Sequence, residues 1–298
     1  MLTNKSYKDS LTNSSFKYCE YLAKTHYENF PVASFLFPAE KRKYIYSVYA
    51  FARAADDFAD EDFIEGGIPK RLALLDEWLG KLNDCYNGKA YDPIFIALRE
   101  TVNKFNIPID DFKNLLTAFK QDVMKNRYKT FDEVIDYCTY SANPVGRIVL
   151  RISGHDNDEL FHYSDKICTA LQLINFWQDI EIDLKKDRVY LPDEDLKKFS
   201  YTYEDLFNKV YDERFVKLMD FQISRTEEIF KKGKNIFDVF NQNNLKKGFI
   251  LEIKAIYTAG SLMLNKLRKV KYNVFKKRPL LNLNDRLLIL YKTLFSSI

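Results

Sequence analysis

Glycine, proline, cysteine and histidine are all scarce in this sequence, and each scarcity removes a class of structure. Nine glycines and eight prolines in 298 residues are too few for the tight turns of a sandwich or barrel, and they fit long helices joined by short loops. The four cysteines (Cys19, Cys85, Cys138, Cys168) stand far apart with no C-x-x-C spacing. That argues against zinc and against a disulfide framework, and makes reduced core thiols the expectation. His26, His155 and His162 are scattered without metal-ligand spacing. No apolar run reaches the roughly 18 residues that would read as a membrane span. The polar start MLTNKSYKDSLTNSS lacks the apolar segment of a secretory signal. A cytoplasmic protein is expected, soluble or touching a membrane only at its periphery. G-x-S-x-G, P-loop and G-x-G-x-x-G motifs are missing, so serine hydrolase, P-loop NTPase and Rossmann readings lack their signatures. With 46 basic against 42 acidic residues the net charge is only +4, which gives no argument for a nucleic-acid partner.

Aromatic residues are abundant, at 15%, and apolar positions recur at helical spacing. Helices are expected over about 8–28, from Pro38 to near Gly66–Gly67, from Pro69, over 91–105, 109–126 and 132–154, through the 171–185 region, and over 212–240, 245–270 and 283–295. Thr202 with Asp205 has the spacing of a capping box. Asn143, Pro144 and Gly146 read equally as a kink in one helix or as a junction between two. The expected architecture is one all-α domain over residues 1–298, with residues 1–15 poorly ordered.

Two stretches stand out chemically. In LQLINFWQDIEIDLKKDRVYLP (171–192), Gln172, Asn175, Asp179 and Asp183 form one polar stripe on a helix. Leu171, Ile174, Trp177, Ile180 and Ile182 flank it and predict burial around most of the circumference. An unpaired buried carboxylate is costly, so a cation should sit against this stripe. In VYAFARAADDFADE (48–61), Tyr49, Arg53, Asp56 or Asp57, and Asp60 make a second stripe on an apolar body. A single D-x-x-x-D reads as a solvated face. Two, each with Arg, Tyr, Gln or Asn in register, point to carboxylate pairs facing across a cavity, holding Mg²⁺ and through it a diphosphate. Asp56, Asp60, Asp179 and Asp183 are the candidate ligands, supported by Asp57 and Glu61. Arg53 suits either an ion pair or a phosphate clamp. Lys185, Lys186 and Arg188 form a basic, mobile loop able to close over a leaving group, followed by Tyr190. Gln172 and Asn175 orient ligands or bond to a neighbouring helix. The aromatic excess could line a cavity for a long apolar chain and steady a carbocation.

The same two stretches resemble the aspartate-rich motifs of the squalene/phytoene synthase family. YCTYSANPVG (137–146) is similar to the middle motif of that family, and YTAGSLMLNKLRKVKYNVFKKR (257–278) to its C-terminal helix and tail. The resemblance implies an all-α isoprenoid synthase fold around a central cavity. It also implies two or three Mg²⁺ ions with bound diphosphate, held by Asp56, Asp57, Asp60, Asp179 and Asp183, and prenyl diphosphate substrates. Tyr140, Arg53 and Tyr49 become candidate catalytic residues. Gln172, Asn175, Lys186, Arg188, Tyr190 and Tyr257, with Arg53, become candidate substrate contacts.

Within the family, HYENFPVAS, ARAADDFADE, SANPVG and NFWQD most resemble the bacterial hydroxysqualene synthase branch. That branch implies ionisation of presqualene diphosphate, cation rearrangement and water capture, in squalene and hopanoid biosynthesis, with no nicotinamide. Two departures stand out. His26–Tyr27–Glu28–Asn29–Phe30 replaces the family's H-S-x-S-F, and Gln178 replaces the arginine that precedes the second motif. Losing that arginine removes a diphosphate contact and weakens the case for condensing two diphosphates. The alternatives are head-to-head condensation to presqualene diphosphate, squalene or phytoene, a non-catalytic assembly factor of the same fold, and membrane docking through Leu283–Phe295.

Overall fold

In the computed structural model, residues 4–25, 36–60, 65–242 and 247–296 are described. They form helices α1 (Asn4–Thr25), α2 (Ala39–Asp60), α3 (Gly67–Tyr86), α4 (Pro93–Phe105), α5 (Ile109–Met124), α6 (Phe131–Ser141) and α7 (Asn143–Ser153). After these come α8 (Asp158–Lys185), α9 (Asp193–Lys198), α10 (Tyr203–Phe207), α11 (Glu213–Gly233), α12 (Ile236–Gln242), α13 (Lys247–Lys269) and α14 (Leu283–Phe295). The all-α expectation holds, and the only β pairing among the described residues is an isolated bridge between Arg127 and Val189.

Within the chain, two compact units are distinguished. One comprises residues 1–124 and 144–157, the other 125–143 and 158–298. In the first unit, α2 packs against α1, α3, α4 and α5. Its core centres on Phe51, stacked on Trp78 at 5.9 Å and edge-on to Phe95 and Phe112. The Trp78 indole donates to the Phe51 carbonyl at 3.3 Å, so the ring is buried with its polar atom satisfied. Helix α1 starts at Asn4. Buried Phe16 meets the Tyr44 ring edge-on at 5.3 Å, fixing α1 against α2.

In the second unit α8 is the hub, packed on α6, α11, α12 and α13. Fully buried Trp177 donates to Thr226 Oγ1 of α11 at 2.9 Å. The Thr202–Asp205 capping box is present at α10. Ala142 ends α6 and Pro144 sits in the first turn of α7, so the NPVG segment is a junction of two helices, where a proline's missing N–H does no harm. The long helix expected over 212–240 breaks at Lys234–Asn235 into α11 and α12. The break follows Gly233, which lies so close to α8 that a Cβ there would meet Ile167 Cγ1 at 2.6 Å and the Ile167 backbone nitrogen at 3.1 Å.

All four cysteines are free, as expected. Burial pushes the Cys19 and Cys85 thiols up to about 12, and Cys138 higher still.

Gly233→Ala should destabilise the chain by about 1–3 kcal/mol, because backbone atoms of α8 cannot step aside as a flexible side chain would. Urea denaturation followed by circular dichroism measures this, and an unchanged midpoint would refute the close approach.

Candidate functional site

On α2 the chain turns Ser47, Val48, Ala50, Phe51 and Ala55 inward, leaving Tyr49, Arg53, Asp56 and Asp57 half-buried along one stripe. This is the register read from helical spacing. Arg53 Nη2 lies 2.5 Å from Asp57 Oδ1, and its Nη1 lies 3.3 Å from Asp56 Oδ2. Burial works against the guanidinium charge, but the two carboxylates outweigh it and hold Arg53 above the ordinary arginine range. Arg53 Nε is buried with no hydrogen-bond partner among the described residues. Asp60 closes α2. Its side chain, Glu61 and the segment His26–Phe30 lie outside the described residues.

On α8, Gln172, Asn175, Asp179 and Asp183 are half-buried, while Leu173, Ile174, Phe176, Trp177, Gln178 and Ile180 are buried. The expected polar stripe is present. Ile182 departs from its expected burial and is 37% exposed, because three residues after Asp179 it falls on the polar face of α8 rather than on the buried face that holds Leu184. The cation that the stripe demands is Arg278, from the segment after α13. Its Nε donates to Asp179 Oδ1 and its Nη2 to Asp179 Oδ2 at 2.9 Å, a bidentate fork on a carboxylate about one-fifth exposed. One residue away on each side, buried Gln178 donates its Nε2 to the Pro279 carbonyl at 2.6 Å. Two adjacent residues of the helix thus hold two adjacent residues of the tail.

The loop after α8 is pinned rather than mobile. Asp187 adopts φ 54°, Arg127 bonds both its carboxylate and its carbonyl, and Asn126 Nδ2 donates to Asp187 Oδ2 at 2.8 Å. The Asp183 carbonyl accepts the Lys186 and Arg188 N–H groups at 3.0 and 2.9 Å. Lys186 is exposed and Arg188 half-buried. Tyr190 is buried in a ring cluster, stacked on Phe176 at 3.6 Å and on Tyr128 at 5.5 Å, with Tyr137 tilted against it. Asp183, Arg188, Phe176 and Tyr190 border a cavity of about 10 Å³, room for about one water. Tyr140 is half-buried on α6. Tyr257 stacks on Phe230 at 4.3 Å, and burial raises its hydroxyl pKa, with Glu227 adding to the shift.

Among the described residues no three His, Cys, Asp or Glu side chains are grouped to hold a metal ion. Each unit instead offers aspartates one helical turn apart. Their hard oxygens fit Mg²⁺, which accepts one or two carboxylates and takes its other positions from water and phosphate. Arg53 and Arg278 show that both sets of carboxylates already recruit positive charge.

A family model described as squalene/phytoene synthase matches residues 23–285. The chain belongs to the squalene/phytoene synthase family. A phytoene synthase of Arthrospira platensis is 30% identical over 231 residues, 73% of this chain and 74% of that protein. The crystal structure of squalene synthase HpnC from Alicyclobacillus acidocaldarius superposes with a TM-score of 0.80 at 34% identity, covering 88% of this chain and 96% of that one. A dehydrosqualene synthase in complex with a ligand superposes at TM-score 0.84 and 24% identity, covering 96% and 97%, and bears on the fold alone. The chain is therefore an enzyme of a family that acts on prenyl diphosphates, with the isoprenoid synthase fold.

Two contacts escaped the motif reading. Arg278 was visible only as the end of the family-like tail, and its partner lies 99 residues away. Gln178 stood out as a missing arginine, with no signal for the carbonyl it holds. If these contacts fasten the tail, Gln178→Ala combined with Arg278→Ala should speed tryptic cleavage at exposed Lys276 and Lys277 several-fold. Unchanged cleavage kinetics would show that the tail is held elsewhere.

Proposed function

We propose that the chain converts presqualene diphosphate to hydroxysqualene by loss of diphosphate, rearrangement of the resulting cation and capture by water. The observation that carries this reading is Gln178. In place of the family's arginine stands a neutral amide, buried and committed to the Pro279 carbonyl. It offers no charge to a second diphosphate, as condensation of two prenyl diphosphates would demand. The 34% identity to a protein described as squalene synthase HpnC supports the same branch.

In this reading Asp56, Asp57, Asp60, Asp179 and Asp183 hold Mg²⁺, two or three ions once diphosphate is bound. The metal supplies electrophilic pull on the departing diphosphate. Arg53, with its buried Nε left for an anionic oxygen, neutralises charge on the leaving group together with Lys186 and Arg188. Arg278 keeps Asp179 paired when no metal is present. Gln172 and Asn175 orient the diphosphate, and Tyr49, Tyr190 and Tyr257 shape its surroundings. Tyr140 is the candidate acid–base group. The stacked rings of Phe176, Tyr190 and Tyr137 form a dry wall that keeps bulk water from the cation before rearrangement. No nicotinamide takes part, because the product is not reduced. Substrate and product are lipids, so a cytoplasmic chain doing this work meets a membrane at its periphery, through Leu283–Phe295.

Curated relatives named phytoene synthase favour a second reading, head-to-head condensation of two prenyl diphosphates. A non-catalytic assembly factor would have no use for intact acidic pairs.

Mass spectrometry of the extract after incubation with presqualene diphosphate and Mg²⁺, without reductant, should show hydroxysqualene. Presqualene diphosphate formed from farnesyl diphosphate, with no turnover of presqualene diphosphate itself, would establish the condensing reading instead. Asp56→Asn and Asp179→Asn should each lower turnover by about 10²-fold or more, and near wild-type rates would overturn the ligand assignment.

A further inference from the structure

Positive charge gathers towards the end of the chain. From Lys266 to Lys292 there are nine basic residues and a single acidic one, Asp285, which is already paired with Lys266 at 2.5 Å. In the same region α14 presents an uncovered apolar stripe. Leu283, Leu287, Tyr291, Leu294 and Phe295 recur at helical spacing and are between 47% and 73% exposed. The stripe runs the length of a helix about 20 Å long. Exposed Arg286 and Lys292 border it on opposite sides, while Thr293, on the inner face, is buried.

Beside the end of this stripe lies a pocket of about 320 Å³ between α11, α13 and α14. Lys231, Lys234, Lys254 and Lys292 line it together with the hydroxyls of Thr258 and Ser261, and no carboxylate does. Lys254 donates to the Ser296 carbonyl, tying the end of α14 to the pocket wall. Lys231 lies 3.5 Å from Glu227, whereas Lys234 and Lys292 have no carboxylate partner among the described residues. Tyr257, one of the candidate substrate contacts, borders the pocket as well, but most of the α13 lining turns away from α8. Gly260 of α13 faces Leu171 of α8, and Thr258 and Leu262, two residues to either side, project from the opposite face of α13.

We propose that the α13–α14 face docks on an anionic phospholipid surface, with the lysine-lined pocket taking the phosphate headgroup and the α14 stripe entering the lipid. A basic helix with a continuous apolar stripe is suited to lying in a membrane interface. Each lysine held at an anionic surface strengthens attachment, and a phosphate flanked by hydroxyls and ammonium groups replaces its water contacts with charge-assisted hydrogen bonds. The proposal rests on the peripheral membrane contact put forward above and assigns it a lipid class and a headgroup site. It does not depend on the reaction assigned to the acidic motifs.

Vesicle flotation of the full chain tests this, using vesicles of phosphatidylcholine alone and vesicles that also contain phosphatidylglycerol. Attachment should require phosphatidylglycerol and resist competition by inorganic phosphate. Lys234→Glu combined with Lys292→Glu should weaken it at least about thirtyfold with the circular dichroism spectrum unchanged. Leu287→Ser combined with Tyr291→Ser should also release the chain while leaving the pocket lysines in place. Equal attachment to both vesicle types would overturn the headgroup assignment and leave the membrane contact standing. Attachment to neither would overturn both. Competition by inorganic phosphate would assign the pocket to a soluble anion. Self-association in light scattering that Tyr291→Ser abolishes would assign the stripe to a second copy of the chain. Either of these last two results would overturn the proposal.

Discussion

A helix buried around most of its girth must still carry two carboxylates, and much of the second unit is arranged around that demand on α8. The apolar side is met by packing against α6, α11, α12 and α13, with the one polar atom of Trp177 satisfied by Thr226. The polar side is met by Arg278, whose fork gives Asp179 two charge-assisted bonds. An ionised carboxylate partly removed from water and left alone would be costly. The same fork fixes the orientation of both carboxylate oxygens.

The first unit meets a milder form of the same demand. Arg53 lies one turn before Asp56 and Asp57 on the same helix and brings them positive charge locally. The two motifs, alike in spacing, therefore differ in how they are held. One draws a guanidinium from its own helix, and the other draws one from the tail.

This difference also explains what could be read in advance. Both polar stripes were legible because residues three and four apart on a helix share a face. The capping box at Thr202 and the junction at Pro144 follow from equally local chemistry. What stayed hidden depends on separation along the chain. The bonds of Gln178 to Pro279 and of Asp179 to Arg278 span 101 and 99 residues, and periodicity carries no information at that range. The loop after α8 looked mobile from its lysines, yet Asn126 and Arg127, about 60 residues upstream, hold it. Gly233 looked like an ordinary residue within a long helix until the nearness of Ile167 gave it a reason.

The dependence of Asp179 on Arg278 has a consequence in time as well as in space. A ribosome adding about 5–20 residues per second delivers Arg278 only some 5–20 seconds after Asp179, given the 99 residues between them. Throughout that interval α8 can be hydrophobic enough to collapse but lacks the partner for its buried charge. The nascent helix must therefore keep this face hydrated, and final closure of the second unit is deferred until the tail emerges.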